Sequence, residues 1–226
     1  MATLCALFVL FRDEADGAIP GEHRTFVEYI WRAVYKGYLR EMFVLLALLL
    51  GVGGLLRERD AGTSGFTMAL PVSRLSHVFV RAATGVLEVA ALSAIPALVL
   101  PVMSSLTGQV YPWQQAWEFA LLWTVGGSFI FMLAFISSSL FGGSYTAPVV
   151  AFLSLLVYSL IADLPAFDEY GIDIHDLMSG NGGVPWFQIK GALLTGPLPW
   201  VPLTLLTLSV IGFALLAAGI ARRQDF

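Results

Sequence analysis

Hydrophobic and polar positions alternate along this chain in long blocks. Six of them are almost wholly apolar: Ala2 to Phe11, Met42 to Leu56, Val78 to Leu106, Ala116 to Phe141, Tyr145 to Ile161 and Trp200 to Ala221. Crossing a hydrocarbon core of about 30 Å takes roughly 18 to 20 such residues as a helix, and in lipid only helices and closed barrels satisfy their own backbone. The pattern therefore predicts an all-α integral membrane protein, a single transmembrane domain over residues 1–226 with about six transmembrane helices. The first block is too short to cross and lacks the basic start and small-residue cleavage site of a signal peptide. It is read as a partial, truncated first span over 1–11.

The polar blocks organise the rest. Residues 12–24 are turn-like, with Gly17, Pro20 and Gly21. From Phe26 to Glu41, Trp31, Val34, Tyr35 and Tyr38 recur at helical spacing while Arg32, Lys36 and Arg40 repeat every fourth residue. Aromatic and basic faces of this kind suit a membrane interface; a span extended into water fits equally. Residues 26–56 are thus an interfacial helix plus second span, and "RERD" ends it. Pro96 and Pro101 should kink or break the later half of the 78–106 span, since each lacks an N–H. Spans at 116–141 and 145–161 follow, joined by the turn "SSSLFGGS". A loop at 163–199, rich in Gly, Pro and acids, precedes the last span at 200–221.

Composition sharpens this. Of 226 residues 58% are hydrophobic and 12% charged, against about 25% charged in soluble domains. With a net charge of -4 and no basic stripe, nucleic acid is excluded as a partner. The single cysteine, Cys5, has no internal disulfide partner. Cytoplasmic flanks gather Lys and Arg. Four spans separate Arg57, Arg59, Arg74 and Arg81 from Arg222 and Arg223, so these six bases share a side, against Glu58, Asp60 and Asp225. The other side holds as many bases but far more acids. Because the first six sit close to span ends, residues 57–77 are assigned to the cytoplasm and 163–199 to the outside.

Several chemistries find no support. There is no GxxxxGK[ST] loop for nucleotide phosphates, and "GTSG" and "GNGG" are ordinary turns. His23, His77 and His175 are far apart, without an HExxH pair, and no metal site is expected. "DIHD" (Asp173 to Asp176) is a solvated acidic loop before it is a cation site. Ser137, Ser138 and Ser139 have no basic neighbour to activate them. Two acids fall in or near spans. Glu118 lies by the outer aromatic belt and is read as solvated. Glu88, about 10 Å along the helix from Arg81, is assigned to the cytoplasmic half of its span. A buried carboxylate is costly in lipid, which leaves structural pairing and a role in translocation both open for Glu88.

The cytoplasmic segment 57–77 has the makings of a docking element. Thr63 or Ser64 can cap a short helix and Pro71 stops it, while Phe66, Met68 and Leu70 offer apolar contact to a partner. Physics alone leaves a plain surface loop equally open. The stretch "RERDAGTSGFTMALPVSR" resembles the cytoplasmic segment of the membrane subunits of type-two ATP-binding-cassette exporters. There a span runs into a charged turn with Gly-Thr, then a coupling helix, a P-x-S-R turn and the next span. The matching positions are Arg57, Glu58, Arg59, Gly62, Thr63, Pro71, Ser73 and Arg74. The end "ARRQDF" is similar to the basic end of such subunits. "VPWFQIKGALLTGPLPW" (Val184 to Trp200) corresponds to their short outer re-entrant or interfacial helices before the last span. The likeness runs from about Phe26 onward; the family's cytoplasmic N-terminal helix and full first span have no counterpart.

The resemblance implies a permease subunit of an ATP-driven exporter, without enzymatic activity of its own, multi-pass in the cell (inner or plasma) membrane among its lipids. A cytoplasmic ABC ATPase subunit would dock on Gly62 to Leu70. ATP and Mg would bind that partner, and this chain would hold no cofactor. The path would form as a dimer with a second copy or a related permease. Two other readings stand beside it: a non-transporting membrane scaffold or sensor that recruits a soluble partner, and a proton-coupled secondary transporter using Glu88, which lacks a clear internal repeat.

Overall fold

A computed structural model describes residues 1–10, 25–60, 74–141, 145–164, 167, 170–181, 188–190 and 193–223. The chain is almost entirely helical there. Its helices are α1 (Ala2–Leu10), α2 (Phe26–Ile30), α3 (Tyr38–Asp60), α4 (Arg74–Leu106), α5 (Trp113–Leu140), α6 (Thr146–Ala162), α7 (Ile174–Ser179) and α8 (Trp200–Arg223). Among the described residues, three stretches are long and apolar enough to cross a membrane: Leu75–Leu106 of α4, Trp113–Leu140 of α5 and Trp200–Ile220 of α8. Of the other three expected spans, α1 and α6 are shorter than that. Helix α1 has nine residues and α6 has 17, while α3 has 23, with an uninterrupted apolar run from Met42 to Leu56.

Helix α5 is the axis of the bundle. In its most apolar stretch 72% is buried inside the protein, against 33% for α4 and 22% for α8, so α5 is sheathed while the others turn apolar faces outward. Its glycines admit the neighbours. A Cβ on Gly127 would lie 2.7 Å from the Phe43 ring of α3 and 2.8 Å from Val89 of α4. Register follows from such contacts. Along α3, Phe43 meets Trp123 (ring centroids 4.8 Å) and Gly51 meets Ala134 (2.7 Å from an added Cβ), so α3 runs parallel to α5. Along α4, Ser93 bonds Thr124 (2.6 Å) and Gly85 packs on the Phe131 ring, so α4 runs antiparallel. Helix α6 starts five residues past Phe141, and its Tyr158 reaches Phe129 (4.8 Å). It therefore ends about halfway along α5.

Three expectations need correction. The 26–56 segment is not one helix: α2 widens into a π-helical turn at Trp31–Tyr35, with Lys36 N bonded to Trp31 O (2.9 Å), and the chain bends at Lys36 and Gly37 before α3. A Cβ on Gly37 would lie 2.5 Å from Arg32 O. The bend changes the helical phase, so Val34 and Tyr35 are buried but Tyr38 is 80% exposed. Helix α3 runs on through "RERD" to Asp60. Pro96 and Pro101 do not break α4, since each removes one hydrogen bond from a ladder held on both sides. Helix α4 stops instead at Gly108 (φ 71°), where Gln109 N closes back on Ser104 O (2.9 Å). Finally, part of the expected outer helical region is an antiparallel strand pair, β1 (Gln188–Lys190) and β2 (Leu193–Thr195), in register Ile189 to Leu194. A Gly-Ala link between two three-residue runs suits a hairpin better than a helix.

Candidate functional site

Functional side chains fall at three levels along α5. Along the N-terminal half of α5, as far as Gly126 at its middle, α7 is docked against the core by its own backbone. A helix leaves its last four carbonyls without intrahelical donors. In α7 all four are accounted for. Gly180 takes the left-handed conformation (φ 84°), so that Asn181 N donates to Asp176 O (2.8 Å) and Gly180 N to Leu177 O (3.1 Å). The remaining two accept from indoles: Trp123 Nε1 donates to Met178 O (2.9 Å) and Trp31 Nε1 to Ser179 O (2.8 Å). Arg40 adds a bond to His175 O (3.1 Å) while paired with Glu41. Tyr158 Oη donates to Ile172 O.

An aromatic stack holds the donors. Tyr35 lies flat on Phe119 (3.7 Å, 15°) and edge-on to Trp123 (5.6 Å), and Lys36 sits over the Trp31 ring (5.4 Å). The buried face of α7 presses Met178 and Ile174 onto Gly126. Asp173 caps the start of α7 through His175 N (2.8 Å). Burial raises the Asp176 carboxyl above the ordinary value, and Asp173 adds to it, with Arg40 and Lys36 pulling the other way. The Asp173–Asp176 stretch is thus a docked helix, not an open acidic loop. Burial likewise drives the Tyr35 and Tyr111 phenols well above their ordinary range.

Glu88 stands at the middle level. Its neighbour Val89 faces Gly127, and α5 runs from 113 to 140, so Glu88 sits halfway along α5. That is deeper than its distance from Arg81 suggests, because Arg81 is itself about two turns inside α4. Arg81 Nε and Glu88 Oε2 are both shut off from solvent without a hydrogen-bond partner. No ion pair joins them among the described residues. Glu118 lies near the N-terminal end of α5, accepting from Gln114 Nε2 (2.8 Å). Ser137, Ser138 and Ser139 bond back to carbonyls of α5, and Ser138 reaches across to Gly51 O of α3 (3.4 Å).

At the C-terminal end of α5, α3 finishes and α4 begins. Arg57, Glu58 and Arg59 lie on the last turns of α3 and Arg74 opens α4. Gly62, Thr63, Phe66, Met68, Leu70, Pro71 and Ser73 lie outside the described residues. The sequence reading missed Trp31, Arg40 and Trp123 as anchors. Only the Gly180 stop signal after "IHDLMS" hinted that a short helix needed them.

No family model, no curated protein and no solved structure matches this chain.

Proposed function

We propose that the chain is the permease subunit of an ATP-driven exporter, working as a dimer and driven by a separate ATPase subunit. One observation carries the reading. Helices α3 and α4 pack on α5 in opposite directions, so Arg57–Asp60 and Arg74 meet at one end of the bundle, and the stretch that resembles a coupling segment links them there. In this proposal the partial span α1, with α3 and α6, stands beside the three long helices around the path, and the coupling segment 57–77 takes the ATPase on the cytoplasmic side.

The packing supports a lever mechanism. Gly51 of α3 and Gly85 of α4 both contact Phe131 of α5. At Gly51 the backbones of α3 and α5 meet with no flexible side chain between them, and protein interiors of this density transmit displacement. Closure of the ATPase on nucleotide would tilt the ends of α3 and α4 and carry α5 with them.

The test is affinity purification of the tagged chain from its native membrane, with mass spectrometry and an ATPase assay. A nucleotide-binding subunit should co-purify, and the double substitution Phe66→Asp, Pro71→Ala should reduce both its recovery and the hydrolysis rate several-fold. A chain that elutes without such a subunit, or a double variant that recovers it undiminished, overturns the proposal.

A further inference from the structure

We infer that Glu88 is the anchoring point for a lipophilic cation, a ligand with a permanent or protonated nitrogen or phosphorus centre on an apolar body. As a cargo class this rests on the permease reading; as a binding site it does not.

The argument is one of missing counter-charge. A carboxylate halfway along an apolar bundle needs a partner, because leaving it buried and unpaired is far costlier than pairing it. The side chains on the elements packed against α4 supply none at that level. Helix α3 has no ionisable residue between Met42 and Leu56, α5 has none from Phe119 to Leu140, and α8 has none from Trp200 to Ala221. Helix α1 offers Cys5 as its one ionisable side chain, with the Met1 ammonium ahead of its first turn. The charges of α3 and α5 that remain, Arg40, Glu41 and Glu118 at one end and Arg57 to Asp60 at the other, are a span's half-length away. On α4 itself His77 and Arg74 lie beyond Arg81, and Arg81 is seven residues, about 10 Å, from Glu88 with its own Nε unbonded.

Access is lateral. Glu88 is half-buried, with Oε2 sealed, while Thr84, Leu87 and Ala91 beside it are exposed, Leu87 at 69%. A ligand would therefore reach the carboxylate along the outward flank of α4, laying its apolar body on that surface. Arg81, on the same flank toward the basic end, repels a cation and defines Glu88 as its stopping place. The bonds are electrostatic only, with no covalent step.

Equilibrium binding of radiolabelled tetraphenylphosphonium to the purified full chain in liposomes, without any ATPase, tests this. Saturable binding is expected, roughly thirtyfold or more weaker in Glu88→Gln, partly kept in Glu88→Asp, and absent for tetraphenylborate. Carbodiimide labelling of Glu88, followed by mass spectrometry, should be slowed by the same cation and not by the anion, which covers the case of a misfolded Gln variant. Binding by Glu88→Gln equal to that of the parent chain, no saturable binding, or labelling indifferent to the cation would each overturn the inference. Since no ATPase is present, these outcomes leave the permease proposal standing, and loss of the ATPase partner leaves the cation site standing.

Discussion

At the scale of residues, two glycines that meet the same residue, Phe131, are not equivalent. A Cβ on Gly85 would strike the far edge of the Phe131 ring, which can swing. On Gly51 it would strike the Phe131 carbonyl and Ala134 Cβ (2.7 Å), which move only if the helices part. Overpacking costs about 1–3 kcal/mol. Gly51→Ala should thus fall toward the upper part of that range and Gly85→Ala toward the lower, a difference readable as melting temperatures of the detergent-solubilised chain. Equal melting temperatures would remove the distinction between backbone and ring contact. Nothing local marks Gly51 in "LLLGVGGLL": Gly53, two residues on, has nothing within 4 Å of an added Cβ. Such a contact is set by which helix arrives opposite.

At the scale of elements, α7 is six residues long and has little helical stability of its own. It stays formed because its carbonyls find indole donors and its apolar side finds Gly126. Trp123→Phe keeps the ring contact with Tyr35 and Phe43 but leaves Met178 O without its donor. An unsatisfied buried acceptor costs about 1–3 kcal/mol, so amide exchange in 177–181 should speed up roughly tenfold to a hundredfold. Exchange unchanged in that segment would mean the indole bond does not hold α7. The legible part of this element was its ends: the Asp173 cap and the Gly180 stop are signals within a few residues. Its anchors were not legible, since Trp31 and Trp123 stand 148 and 55 residues from the carbonyls they bond. The bend at Lys36–Gly37 and the β1–β2 pair were missed because amphipathic spacing and apolar runs do not separate a continuous helix from a π turn or a short hairpin.

At the scale of the whole molecule, the long apolar blocks became α4, α5 and α8 almost as they stand, because a run of that length has one stable backbone form in lipid. The path of the chain between them is a different matter. Helix α6 climbs only halfway along α5, and α7 is docked at that depth. From there the chain has two ways to enter α8. If it continues to the Trp113 end, α8 returns Arg222 and Arg223 to the end that holds Arg59. If it turns back, α8 carries them to the other end, and the six bases no longer share a side. The short ends of spans rich in Arg favour the first path, since Lys and Arg beside a span set its orientation. With Cys5, the single cysteine, replaced by alanine, single cysteines at Arg59, Arg222, Glu118 and Asp176 can be probed in sealed vesicles by a membrane-impermeant maleimide. Labelling of 59 and 222 from one side and of 118 and 176 from the other is the expected result. Labelling of 222 together with 118 would mean that α6 and α7 enter and leave on the basic side. The count of crossings would then be odd, and the two ends of α8 would no longer fit a subunit whose tail lies beside its docking segment.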